Sequence, residues 1–237
     1  MVLDPATTAR EPWYSERRWE RWAPLAGVLA VVLWVVAVII GEAGAGTPDE
    51  AAGGEAIAAF FEDNSGTLLA SSFLFMLGAA VFLWFLGSLR ARFLAADPSG
   101  RITAIVFAAG VATAVLTAAA QAPIAGGAVT AGELERSIEP AAAEVFWDIG
   151  DGFFLAATTM LAVFFFAAFV AILRTRAFPT WFAWLSLLFA VVAVIGPIGW
   201  LALVFGLPIW TLVASVWMFM RPAGDVVARP ADARPVA

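Results

Sequence analysis

Three carboxylates in the second half of the chain have a spacing that suits chemistry. Glu144, Asp148 and Asp151 are separated by four and three residues, so they would share one face of a helix. Carboxylate oxygens gathered in this way can bind a hard cation such as Ca²⁺, although the spacing is not that of an EF-hand loop. Acids at a helix N-terminus also stabilise it by capping and through its dipole. We expect capping here and keep the cation site as the alternative.

Gln121 is the fourth polar residue of interest. It ends a long apolar run and is followed closely by Pro123. If the apolar segments alternate across a membrane, Gln121 lies on the same side as the three acids. Polar groups at membrane depth usually join helices, so we expect a hydrogen bond between this segment and the next. Gln121, Glu144, Asp148 and Asp151 together define a candidate polar cluster in an outer vestibule.

The absent residue types exclude several chemistries. The sequence has no cysteine and no histidine, and all 13 of its basic residues are arginine. Thiolate chemistry, the commonest zinc and haem ligand, and a lysine Schiff base are therefore excluded. We expect no enzymatic activity, no cofactor and no metal centre.

The elements that would position the cluster are long apolar helices. Hydrophobic residues make up 62% of the chain and the mean hydropathy is +0.91, more than one soluble core can bury. A helix needs about 20 apolar residues to cross a bilayer. The sequence predicts an all-α polytopic membrane helix bundle in residues 22–220, with an arm at 1–21 and a tail at 221–237. The six predicted spans are residues 22–40, 67–89, 102–120, 149–173, 181–195 and 200–220.

Arginine placement predicts the orientation. With six alternating spans, 12 of the 13 arginines fall on one side, and Arg136 is the exception. Acidic residues dominate the opposite loops. Both termini are therefore expected to be cytoplasmic, and the first span is expected to be a retained anchor instead of a cleaved signal peptide.

Other patterns predict finer features. Residues 51–61 suggest a short amphipathic helix on the outer leaflet, or a lid, that residues 64–66 break before the second span. Small residues in the third span, including Gly110 and Ala114, favour a central buried helix. The Phe- and Trp-rich second, fourth and sixth spans are then expected to face lipid. Pro197 and Pro208 indicate either a discontinuous transport helix or a turn and a kink.

The layout resembles a known family. The segments that carry the resemblance are residues 20–27, 58–61, 82–90, 178–185 and 207–210. On these the chain resembles the small actinobacterial multi-span proteins of the DUF4386 type. The resemblance covers most of the membrane domain through motifs of low specificity. It implies a bacterial plasma-membrane protein and assigns no activity and no functional residue.

Two functional classes follow from these patterns. We expect a non-enzymatic integral membrane protein that acts through membrane lipids, a membrane-protein partner or a second copy of itself, with no nucleic-acid partner. The alternative is a transporter or binding protein for a small neutral or apolar solute, with its outward-facing vestibule at the polar cluster. A lipid-modifying enzyme that uses the outer carboxylates is a weaker third alternative, because only Arg136 offers a cation on that side.

Overall fold

The computed structural model describes residues 21–46, 48, 53–97, 99–134 and 136–221. Six helices follow one another in this part of the chain, and we number them α1 to α6. They are α1 (Ala26–Gly44), α2 (Gly54–Ala96), α3 (Arg101–Ala131), α4 (Pro140–Thr175), α5 (Thr180–Val194) and α6 (Gly199–Met220). The predicted arm, except Arg21, and the predicted tail, except Arg221, lie outside the described residues.

The predicted all-α class is confirmed, since the described residues form helices and no strand. Five helices are long and apolar enough to cross a membrane. The fifth predicted span forms a helix of only 15 residues. At 1.5 Å per residue it is about 22 Å long, shorter than a hydrocarbon layer of about 30 Å. The turn Gly196–Ile198 joins it to α6.

Three helices extend well beyond the predicted spans. α2 has 43 residues, α3 has 31 and α4 has 36. The rise per residue makes α2 about 65 Å long, twice the hydrocarbon thickness. The predicted break at residues 64–66 is wrong, because α2 continues through Asn64, Ser65 and Gly66 without interruption. The expected separate outer-leaflet helix is therefore the first part of α2.

The extensions of α2, α3 and α4 pack on one another and form a layer that we call the cap. Its core contains Ile57 and Phe61 from α2 and Ala143 from α4, all buried. A side chain on Gly127 of α3 would collide with the Phe61 ring, whose Cε1 atom would lie 2.7 Å from the added carbon. The rim of the cap holds Phe60 edge-on against Trp147. This apolar packing keeps the chain helical where its polar residues suggested a loop.

Aromatic side chains fill the centre of the bundle. Trp210 of α6 is fully buried and stacks on Phe182 of α5, with ring centroids 4.9 Å apart. Phe164 and Phe165 of α4 and Phe85 of α2 complete its surroundings. The expectation that the aromatic residues of the second, fourth and sixth spans face lipid is therefore wrong for four of these rings, those of Phe85, Phe164, Phe165 and Trp210. Their edge-to-face and stacked contacts stabilise the core beyond simple burial.

The small-residue prediction for the third span is confirmed at Ala109, Gly110 and Ala114, which are buried, whereas Ala104 and Ala108 are exposed. Gly110 of α3 is buried, and an added Cβ would lie 2.7 Å from Leu86 and 3.2 Å from Phe164. Gly152 of α4, in contrast, has open space around it. Close approach at Gly110 therefore brings α3 against both α2 and α4.

Charge divides the described molecule into two ends. The arginine end holds the start of α1, the α2–α3 and α4–α5 connections and the end of α6. The acidic end holds the cap and the α5–α6 turn. Of the described arginines only Arg136 lies at the acidic end, and of the described acids only Asp97 lies at the arginine end.

One arginine ties the arginine end together. Arg92 of α2 is 5% exposed, and its Nε and Nη2 atoms donate to the carbonyl oxygen of Ala177 at 3.3 and 3.0 Å. Its Nη1 donates to the carbonyl oxygen of Arg221. Because a guanidinium group has five donors in a fixed plane, one side chain holds the ends of α2 and α6 and the α4–α5 connection together.

Candidate functional site

The structure places Gln121 toward α2 instead of α4. The Oγ of Ser72 donates to the Oε1 of Gln121 at 3.1 Å, and no described residue of α4 bonds to this amide. The expected role in joining helices is therefore met with a different partner. Because α3 packs against both α2 and α4, Gln121 could bond to either helix, and it bonds to α2.

The three predicted carboxylates lie on the surface of the cap end of α4. Glu144, Asp148 and Asp151 are all exposed. The helix begins at Pro140 and its first turn contains no acid, so the predicted capping role is wrong: Asp148 and Asp151 lie two to three turns inside the helix. Within the described residues no three acidic side chains are grouped so that they could hold a metal ion.

A cavity of about 420 Å³ lies beside Gln121, within the size range of small-molecule sites. Five of the six helices contribute to its wall, and α5 does not. Most of the lining residues are aliphatic or aromatic. They are Val31, Trp34, Val35, Val38, Ile39, Phe75, Thr117, Gln121, Phe154, Leu203, Val204, Phe205, Leu207, Pro208, Ile209 and Leu212.

The polar atoms of the wall are mostly engaged within the protein. Thr117 Oγ1 donates to the carbonyl oxygen of Thr113 at 2.8 Å, and Trp34 Nε1 donates to the carbonyl oxygen of Phe75 at 3.3 Å. The Oε1 of Gln121 accepts the bond from Ser72. The Nε2 of Gln121 has no acceptor in the described part of the chain. The cavity is therefore an apolar space with one amide group at its edge.

An irregular turn of α6 forms one side of this cavity. Ala202–Gly206 is π-helical, and Leu207 N–H donates to Ala202 O. Pro208 follows and has no backbone N–H, so it cannot continue the α-helical bonding pattern. The wider turn directs Leu203, Val204 and Phe205 to the cavity wall. Single π turns inside α-helices are frequent at functional sites. Pro208 thus accompanies a bulge within a continuous helix, while Pro197 lies in the α5–α6 turn.

The cavity opens sideways between α1 and α6. Val35 and Ile39 of α1 are 47% and 58% exposed, and Phe205 and Ile209 of α6 are 54% and 48% exposed. These residues line the cavity and also form the outer surface of the bundle. In a bilayer their outer faces lie at the depth of the hydrocarbon layer, so the opening leads to lipid.

Asp151 borders a second, smaller groove of about 320 Å³. It lies between α4 and the α5–α6 turn, next to Gly196 and Trp200. Thr158 and Thr159 line it too, but their hydroxyl groups donate to carbonyl oxygens of their own helix. Phe154 is common to the groove and the cavity. Gln121 and Asp151 therefore belong to neighbouring spaces, while Glu144 and Asp148 line neither.

Comparison with protein-family models, curated proteins and solved structures found no match for this chain. Functional inference therefore depends on the fold and on the cavity.

Proposed function

We propose that the protein is a non-enzymatic membrane protein that binds an apolar ligand taken from the surrounding bilayer. The observation that carries the proposal is the apolar cavity with its lateral opening between α1 and α6. Apolar walls favour an apolar occupant over water. A ligand already dissolved in lipid enters without crossing an aqueous phase.

The composition of the wall supports binding instead of catalysis. None of the described lining residues carries a titratable side chain. General acid–base chemistry needs a group that exchanges protons near the operating pH. Asp151, one helical turn from Phe154, borders the other groove. Such a site can hold and release a ligand but has no group to transform it.

We also propose that the chain resides in a bacterial plasma membrane with both termini in the cytoplasm. The separation of arginine and acidic ends supports this orientation, because arginine-rich loops favour the cytoplasmic side. The resemblance to DUF4386-type proteins supports the bacterial location and stays a prediction. In this orientation the cap lies outside the cell.

The binding proposal is tested by filling the opening. Val38 lines the cavity and is 38% exposed, while Val36 on the same helix does not line it and is 39% exposed. Val38→Trp is expected to reduce the amount of lipid that co-purifies with the protein in nanodiscs. Val36→Trp adds the same side chain beside the cavity and is expected to leave that amount unchanged. Native mass spectrometry measures both, and equal retention in the two variants would contradict the proposal.

The groove beside Asp151 favours one alternative, the transport of a small neutral or apolar solute. The groove and the cavity share Phe154 and lie toward the acidic end. They therefore offer two adjoining binding positions for a solute. A solute flux into proteoliposomes that Asp151→Asn abolishes would favour transport over simple binding. A flux that persists in this variant, or no flux at all, would leave the groove without a role in transport.

A further inference from the structure

We infer that the ligand of the cavity is an uncharged amphiphile with one hydrogen-bonding group, a carbonyl or a hydroxyl, at the end of an apolar chain or ring. This inference rests on the proposed function and specifies the chemical class of the ligand. The juxtaposition that carries it is a single amide, that of Gln121, at the edge of a wall without charge.

The absence of charge in the wall selects against ionic headgroups. Burying an ion without a partner costs far more than burying a neutral polar group. None of the described residues around the cavity is acidic or basic. A phosphate, carboxylate or ammonium group placed inside would lose its hydration and gain no counter-charge. The part of the ligand that enters is therefore neutral.

The amide of Gln121 selects for one hydrogen-bonding group. A glutamine amide offers two donors on Nε2 and an acceptor on Oε1. Ser72 uses the acceptor, and no described residue accepts from Nε2. Gln121 is half-buried at the edge of an apolar wall. A polar group in apolar surroundings is costly without a hydrogen-bond partner, so a ligand oxygen that accepts from Nε2 satisfies a group that the protein leaves open. A pure hydrocarbon fills the same space but leaves this donor unpaired.

The other hydroxyl in the wall does not compete for this role. Thr117 lies one helical turn from Gln121, but its Oγ1 already donates to Thr113 O at 2.8 Å. Gln121 is therefore the recognition residue, and Thr117 provides a matched control on the same helix.

The position of the amide sets the orientation of the ligand. Gln121 lies one turn closer to the acidic end than Thr117, whereas Val31 and Leu212 line the part of the cavity farther from that end. The polar group of the ligand thus lies toward the acidic end and its apolar part toward the bundle centre. This is the arrangement of an amphiphile in a leaflet, so the ligand enters without turning over.

The experiment compares three photoreactive probes of equal chain length in nanodiscs that contain the full chain. One probe is a long-chain alcohol, the second is the corresponding alkane and the third is the corresponding sulfonate. Mass spectrometry of peptides measures labelling of the lining residues. The alcohol is expected to label them about two- to tenfold more than the alkane, the effect of one neutral hydrogen bond, and the sulfonate less than either.

Gln121→Leu is expected to lower alcohol labelling to the level of the alkane while alkane labelling is unchanged, which also shows that the cavity is intact. Gln121→Met, closer in length, serves if Gln121→Leu fails to fold. Thr117→Val is expected to change nothing. Equal labelling by alcohol and alkane in the wild type, strongest labelling by the sulfonate, or an alcohol preference that survives both Gln121 variants would overturn the inference. If no probe labels the lining residues, the proposed function itself fails.

Discussion

Removing the hydroxyl group of Ser186 tests the central polar contact of the aromatic core. Trp210 Nε1 donates to Ser186 Oγ at 2.8 Å, and both residues are fully buried. In Ser186→Ala the indole N–H has no acceptor and no access to water. The rings of Phe164, Phe165 and Phe182 surround the indole, so it cannot turn to another partner.

The size of the effect follows from two considerations. An unsatisfied buried donor costs about 1–3 kcal/mol. Hydrogen bonds between membrane helices are weaker on average, about 0.6 kcal/mol with a maximum near 1.7, because the unfolded state in lipid also finds partners. Since Trp210 is immobilised, we expect a loss near the upper part of that range, about 1–1.5 kcal/mol.

The assay is a double-mutant cycle of reversible unfolding in mixed detergent micelles, followed by far-UV circular dichroism. Trp210→Phe removes the N–H donor and has a packing cost of its own. In that background Ser186→Ala should cost only a few tenths of a kcal/mol, about 0.3, because no donor remains to be orphaned. The coupling energy is the difference between the two costs of Ser186→Ala.

Ser215→Ala is a control that is expected not to lower the free energy of unfolding. Ser215 is also a fully buried serine, on α6, but its Oγ has no hydrogen-bond partner in the described structure. Its removal should be neutral or stabilise the fold by up to about 1 kcal/mol. Equal costs of Ser186→Ala with and without the indole N–H, or an equal loss in Ser215→Ala, would show that the hydrogen bond to Trp210 does not stabilise the core.

Other parts of the molecule can be tested by single substitutions. Arg92→Met should lower the free energy of unfolding by about 1–3 kcal/mol through lost bonds to the carbonyl oxygens of Ala177 and Arg221. Arg174→Met, at an exposed position, should leave that free energy unchanged, and chemical unfolding measures both. Gly66→Ala should stabilise α2 by about 0.5–1 kcal/mol, because an added Cβ at Gly66 meets no atom within 4 Å. Gly78→Ala should destabilise the protein by about 1–3 kcal/mol, because its added Cβ would lie 2.6 Å from Trp34. Chemical unfolding measures both changes, and a loss of stability in Gly66→Ala would indicate a break in the helix. Ser137→Cys in this cysteine-free chain should react with an impermeant thiol reagent in intact cells and Ser99→Cys should not, and the reverse pattern would overturn the proposed orientation.

The sequence predicts the helical class well because hydropathy reports directly on a physical requirement. A backbone in hydrocarbon must satisfy its own hydrogen bonds, so a long apolar run is a helix. The positions of α1 and of the apolar parts of α2 to α4 follow from this rule. The clustering of arginine at one end follows as well, since the loops are read directly from the sequence.

The extensions and the interior could not be predicted in the same way. The cap segments are rich in alanine, glycine and acids, a composition typical of a loop. Their helical structure depends on tertiary packing, such as that of Phe61 beside Gly127. In the bundle the core and the lipid are equally apolar, so hydropathy does not distinguish buried Phe85 from exposed Trp84. Arg90 and Arg92 look alike in sequence, yet only Arg92 is buried, because residues two apart lie on different faces of a helix.

The candidate site was predicted in part. Gln121 stands out in the sequence as a polar residue at membrane depth, and it does border the cavity. Glu144, Asp148 and Asp151 stand out equally in the sequence. Because α4 begins at Pro140, before its apolar run, these acids lie within the helix on an exposed face. The cavity itself depends on the π turn before Pro208, for which the Gly206-Leu207-Pro208 sequence was the available signal.

The length of α2 has a mechanical consequence. A helix without a break is a stiff rod, and this rod carries the cap at one end and Arg92 at the other. Because α2 has no break near Gly66, a load that tilts the cap part of this helix would tilt the rest of the helix with it. Ser72 and Phe75 lie along it, so that tilt would change the spacing between Ser72 and Gln121 and the width of the cavity that Phe75 lines. Events at one surface of the membrane are thus geometrically linked to the space within it.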